Sequence, residues 1–184
     1  GEVLPDIVES KGLQDFYNIT EYTESHTIPT SDFTYTSNGD KSGQPISNAF
    51  DGQTNTYWVS GTENSASFKA SITITFNKEK TVDALLISPA YRTRYPSTGT
   101  VRYFDGFPTT LNVYSSLTTT DSSLFLDTVF EGNPSYPWTT IQFVFKKPIR
   151  CRKLKLEFEN VTMDESFWKT KYCAVVGDIT ILQD

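Results

Sequence analysis

The sequence is poor in the residues from which active sites are most often built. One histidine and two cysteines are spread over 184 residues. A lone His26 cannot make a His-based zinc site without further ligands, and it offers little from which to assemble a nucleophilic triad. It reads as a surface or hydrogen-bonded residue. No glycine-rich phosphate loop precedes a helical pattern, and no zinc spacing occurs. Glycosidase chemistry needs two facing carboxylates, and no pair is singled out. Enzyme activity is therefore not expected. No apolar run approaches the ~20 residues of a membrane span. Basic residues are also short: 16 Lys and Arg against 22 Asp and Glu give a net charge of −6. Phosphate contacts need a basic surface, so nucleic acid is not expected as a partner. The one basic cluster, Lys146 to Lys155, alternates with apolar residues and reads as the wet face of a strand.

Aromatics, by contrast, are plentiful, with 13 Phe, 10 Tyr and 3 Trp. Together with frequent Thr and Ser and scarce Ala, they favour strands over helices. Alternation supports this along the chain. Phe33 and Tyr35 alternate with Thr34 and Thr36. Ile72, Ile74 and Phe76 alternate with Thr73 and Thr75. Asp83 to Ser88 reads as a more fully buried strand. Leu111, Val113, Phe125, Leu126, Val129 and Phe130 mark two more strands. Ile141, Phe143 and Phe145 alternate in the next. Leu154, Leu156 and Phe158 face away from Lys153, Lys155 and Glu157. Ile179, Ile181 and Leu182 close the chain. Many short strands with turn chemistry between them predict an all-β fold, an antiparallel β-sandwich with few short helices. Residues 1–184 read as a single module. Residues 1–27 read as an N-terminal extension packed on the core.

The most informative stretch is Asn48 to Trp58. Asp51-Gly52 signals a turn, and Asn48, Gln53, Thr54, Asn55 and Thr56 crowd oxygen donors around it. Phe50, Tyr57 and Trp58 flank it, with Trp58 read as core. Such a loop suits either a hard cation such as Ca²⁺ or a polar turn with no metal.

Asn48-Ala49-Phe50-Asp51-Gly52, with Thr56-x-Trp58 following, resembles the first loop of the discoidin family. That family comprises the coagulation factor 5/8 type C domains and the family 32 carbohydrate-binding modules. Arg152 to Phe158 is similar to its penultimate strand, and Gly177-Asp178-Ile179-Thr180-Ile181 to its closing strand. The resemblance runs from about Ile28 to Leu182. It implies a jelly roll of the galactose-binding-domain type. It also implies a structural Ca²⁺ held by Asn48, Asp51, Gln53, Thr56, Gly177 and Asp178, with Asp178 standing where the family usually has Glu. For function it implies a non-catalytic carbohydrate-binding module, part of a larger secreted or surface protein. Its partner would be a glycan, galactose-type or a host mucin glycan, and the module would be a monomer.

Three loops are candidates for a binding face: Ala90 to Pro108, Asn133 to Trp138, and Met163 to Lys171. Sugar recognition pairs an aromatic face with charged or amide groups that fork onto hydroxyls. Arg92 or Arg94 fits the fork. Tyr95, Trp138, Phe167 or Trp168 fits the platform. Sugar-binding members of the family place an Arg and an aromatic at positions resembling Arg92 or Arg94 and Phe167 or Trp168. Their common His after the first-loop Trp is replaced here by Val59 and Ser60. The alternative reading is a discoidin-type adhesion domain that docks on lipid, through Phe104, Phe107 and Trp168, or on a protein. The acidic charge disfavours the membrane. Cys151 and Cys173 are expected to be free, buried thiols.

Overall fold

The computed structural model describes residues 26–53, 55–61, 65–90, 92–94, 101–103, 106–120, 123–132, 139–161, 163–164 and 171–183. For 92–94, 101–103, 163, 164 and 171 it describes the backbone. The proposed N-terminal extension lies outside these residues apart from His26 and Thr27.

The described elements are strands joined by turns and short 3-10 segments. In chain order they are β1 (Phe33–Ser37), β2 (Trp58–Val59), β3 (Ala70–Ser88), β4 (Arg92–Arg94), β5 (Val101–Tyr103) and β6 (Thr110–Ser116). They continue with β7 (Phe125–Glu131), β8 (Ile141–Glu159), β9 (Met163–Asp164), β10 (Lys171–Tyr172), β11 (Val175–Val176) and β12 (Asp178–Gln183).

Two 19-residue antiparallel strands, β3 and β8, carry the fold. The first half of β3 pairs with β1 and with the second half of β8, which continues to β6 and β7. The second half of β3 pairs with β12 and with the first half of β8. Each long strand therefore contributes to both layers of an antiparallel β-sandwich. The sequence reading divided each into two strands, and the reason is visible. The middle of β3, Asn77 to Glu79, is exposed, as is the middle of β8, Lys146 to Pro148. The ladder shifts register between Thr75 and Lys80 and between Val82 and Ala84. Pro148 has no N–H to donate, and it sits where the pairing lapses. A polar interruption looks like a loop to periodicity, but the backbone can continue through it as a bulged strand.

The alternating apolar residues of both layers form one core. Trp58 is 0 % exposed and its ring centroid lies 6.1 Å from that of Phe158. Its indole N–H donates to Asp40 Oδ1 at 2.8 Å, which satisfies the one polar group the ring brings inside. Phe50 stacks on Tyr35 at 4.4 Å and meets Phe33 edge-on at 5.7 Å. This fixes the 3-10 turn Ile46–Phe50 against β1. Phe125 and Leu126, read as marking a strand, lie in β7 and are 56 % and 51 % exposed. β7 pairs only with β6 among the described residues, so its outer side faces solvent.

Cys151 and Cys173 are free and buried. Burial, with smaller contributions from Asp127 and Glu79, pushes the Cys151 thiol up to about 12. Thiolate is the reactive form. The native protein should therefore leave Cys151 unmodified by a thiol reagent at pH 8, and denaturant should release two thiols per chain. Rapid native labelling of Cys151 would contradict this packing.

Candidate functional site

The loops singled out in the sequence share a common base. β6 begins at Thr110, which pairs with Glu131 on one side and Glu159 on the other. Glu131 precedes the 133–138 loop, and Glu159 precedes the 163–171 loop. Thr109 Oγ1 donates to the Asn160 carbonyl at 3.0 Å, and the Asn160 side chain donates to Thr110 Oγ1 at 2.9 Å. Asn160 takes φ 54° there, a left-handed turn that Asn tolerates.

The loop from Ala90 returns through Gly106, whose carbonyl accepts from Val175 N–H at 2.8 Å. Ala90, Val59, Cys173 and Val175 form a small buried cluster with Tyr57 against it. Thus the bases of the 90–108, 133–138 and 163–171 loops meet, and the exit of the first loop joins them. Gly106 is required for this. Its φ is +86°, and a Cβ would overlap Val175 Cγ2. Left-handed backbone costs a non-glycine residue about 1–2 kcal/mol, and overpacking adds about 1–3 kcal/mol. Gly106→Ala should therefore lose roughly 2–5 kcal/mol, read as a lower urea midpoint.

Within the 90–108 loop, β4 and β5 pair antiparallel, with Arg92 opposite Tyr103 and Arg94 opposite Val101. The sequence reading saw only a long loop here. Arg92 and Arg94 therefore stand on a strand, and that strand starts two residues beyond the buried Ala90. In the 163–171 loop, Asp164 pairs with Lys171 and Met163 with Tyr172. Tyr95, Trp138, Phe167 and Trp168 lie outside the described residues, as does Phe104. Phe107, named as a membrane-docking tip, is corrected: it is 1 % exposed and part of the core.

The first loop is built as its oxygen content suggests. Asp51 Oδ1 accepts from Gln53 N–H at 2.9 Å, and Asp51 Oδ2 from Thr56 Oγ1–H at 2.6 Å. Gly52, at φ +70°, turns its N–H onto Asp178 Oδ1 at 3.2 Å. The Asn48 side-chain amide holds the Tyr57 carbonyl at 3.0 Å. The closing-strand acid thus reaches the first loop despite being a methylene shorter than Glu. Gly177 precedes it, its N–H on the Ser88 carbonyl at 2.9 Å. A Cβ on Gly177 would overlap the Pro89 carbonyl oxygen. Burial pushes the Asp178 carboxyl up to about 7; the Gly52 N–H opposes this and the Asp51 charge reinforces it. Asp51 and Asp178 are the only His, Cys, Asp or Glu residues of this set. No group of three such residues capable of holding a metal occurs among the described residues. The donor set is all oxygen, with two carboxylates brought together, one of them half-buried. That chemistry fits a hard divalent cation.

Alternating antiparallel strands around a sandwich core define a jelly-roll domain. The sequence profile of the F5/8 type C domain matches residues 30–175, and the chain belongs to that family. Solved structures agree on the fold. The family 32 carbohydrate-binding module of Clostridium perfringens NanJ, in complex with galactose, is 18 % identical with a TM-score of 0.63. The match covers 85 % of this chain and 97 % of that one. The first two such modules of C. perfringens ZmpB, in complex with GalNAc, are 22 % identical with a TM-score of 0.68. Here 92 % of this chain and 40 % of that chain are covered. A third module, from a C. perfringens family 31 glycoside hydrolase, is 15 % identical with a TM-score of 0.65, over 87 % and 96 % of the chains. No curated protein sequence matches.

Proposed function

We propose that this chain is a non-catalytic carbohydrate-binding module that holds a larger secreted or surface protein on glycans. One observation carries the reading: the loops bearing Arg92, Arg94, Tyr95, Trp138, Phe167 and Trp168 spring from one joined base at Thr110, Gly106 and Val175. An Arg fork and an aromatic platform on those loops supply the two halves of sugar recognition. The bound galactose and GalNAc of the NanJ and ZmpB modules point to a galactose-type ligand. Val59 and Ser60, 1 % and 0 % exposed, offer no group to a ligand. Selectivity then rests on the Arg and aromatic positions. Attachment to a glycan raises the local concentration of whatever the module is joined to.

In this reading Ca²⁺ is held at the first loop by Asp51, Asp178 and Thr56, with Asn48, Gln53 and Gly177 completing the oxygen set. The ion neutralises two close carboxylates and ties the first loop to β12. Its role is structural.

A glycan array probed beside flotation on anionic liposomes tests the proposal. Binding to galactose-terminated glycans and none to liposomes is expected. Liposome binding without glycan binding would overturn it in favour of an adhesion domain.

A further inference from the structure

The outer face of the five-stranded layer carries a half-open cleft of about 360 Å³. It lies on regular strands rather than on the loops described above. We propose that this cleft is a second saccharide site, taking an internal stretch of a neutral glycan chain laid across the strands. The inference rests on the reading of the protein as a carbohydrate-binding module.

Register builds the cleft. Thr36 faces Thr73, Thr73 faces Lys155, and Lys155 faces Tyr114, so one row crosses β1, β3, β8 and β6. At about 4.8 Å per strand the row spans about 14 Å, longer than one sugar ring and suited to a short oligosaccharide. The hydroxyls of Thr36, Ser71 and Thr73 hold no hydrogen bond among the described residues. They are free to meet sugar hydroxyls. The Lys155 ammonium lies 5.5 Å from the Tyr114 ring centroid and makes no ion pair among the described residues.

The ring itself is held. Tyr114 O–H donates to Glu157 Oε1 at 3.2 Å, and the Asn112 amide fixes the same oxygen at 3.0 Å while also bonding Glu159. An aromatic face set in this way offers apolar C–H groups a stacking surface.

Both walls are fixed as well. At one side Asn38 accepts from Ser71 N–H at 3.0 Å and donates to the Lys69 carbonyl at 3.1 Å. At the other, the turn that brings in Leu124 is anchored by Lys153 Nζ on the Thr119 carbonyl at 3.0 Å. Ser116 and Ser123 join their hydroxyls at 2.5 Å beneath it. A chance groove on a strand surface needs no such bracing. The occupant follows from charge. Among the described residues the lining carries one ammonium and no carboxylate, but the chain bears −6 overall. Long-range repulsion therefore disfavours a polyanion. Hydroxyls, an ammonium and a ring face together fit an uncharged polyol chain.

The test titrates the ¹⁵N-labelled protein with neutral linear hexasaccharides of β-1,4-linked glucose, xylose, mannose and galactose. Galactose and N-acetylgalactosamine are titrated in parallel. At least one hexasaccharide should shift the amides of Thr36, Thr73, Tyr114 and Lys155. Tyr114→Ala should weaken that binding at least tenfold. Thr73→Val, which keeps a β-branched strand residue, should weaken it severalfold and guards against a merely unfolded variant. In Arg92→Ala and Trp168→Ala the shifts at these four amides should persist. If the monosaccharides bind and no hexasaccharide shifts these four amides, the second site is refuted and the loop-end reading stands. If no saccharide binds at all, both readings fail.

Discussion

Protein freed of Ca²⁺ is expected to melt roughly 5–10 °C below the same protein in saturating Ca²⁺. A ligand at a hundred times its dissociation constant stabilises by about 2.7 kcal/mol, and each kcal/mol moves the melting point of a domain this size by about 2–4 °C. The effect should depend on pH. Without the ion, Asp178 holds its proton up to about 7 in the folded state, against an ordinary 3.8. Between those values the folded chain binds more protons than the unfolded one. The metal-free protein should thus lose stability as pH rises from about 4 to 7, and then level off. Ca²⁺ requires the ionised carboxylate, so protons compete with it. The gap between the two melting curves should be widest near pH 8 and should narrow toward pH 5. Asp178→Asn should remove both the pH trend and most of the gap. Identical curves with and without Ca²⁺ at pH 8 would refute the metal assignment.

The second large effect is expected at the platform. Trp168→Ala should abolish binding of galactose and N-acetylgalactosamine at the loop end while leaving the melting temperature in Ca²⁺ unchanged, because a residue that meets the ligand contributes little to the core. Arg92→Ala and Arg94→Ala should separate, one losing binding and the other losing little, since only one guanidinium can fork a given hydroxyl pair. Exposed sites that bind single sugars are weak, because a few contacts must offset the lost freedom of the ligand. A dissociation constant on the order of 10⁻⁴ M is expected, equivalent to about −5 kcal/mol. If Trp168→Ala unfolds the domain, the platform must be sought at Tyr95 or Trp138.

Much of the fold was legible because period-2 alternation is local. Ile72, Ile74 and Phe76 declare one face of β3 without reference to anything distant. Asn77 to Lys80 concealed the continuity of that strand, since exposed polar residues carry the same signal in a bulged strand and in a loop. Phe125 and Leu126 marked their strand correctly, but their exposure follows from the edge position of β7, a property of topology, which composition does not encode. Phe107 looked like a loop tip because its neighbours are polar and glycine-rich. It is buried because Gly106 turns the chain back onto Val175. At the site, Asp51 and Gly52 announced their turn directly. The contact between Gly52 and Asp178 spans most of the chain, and it was legible only through the family resemblance. The Thr36, Thr73, Lys155 and Tyr114 row had no sequence signal at all. Each residue looks like the wet face of its own strand, and only register brings them together.

The joined loop end is expected to bind a glycan. Titrating the folded, Ca²⁺-loaded, ¹⁵N-labelled protein with galactose and N-acetylgalactosamine tests it most directly. Saturable shifts confined to residues 91–105, 133–138 and 163–176, lost in Trp168→Ala, are predicted. A folded protein that shows no saturable shift with either sugar, or shifts lying wholly outside these loops, would contradict it.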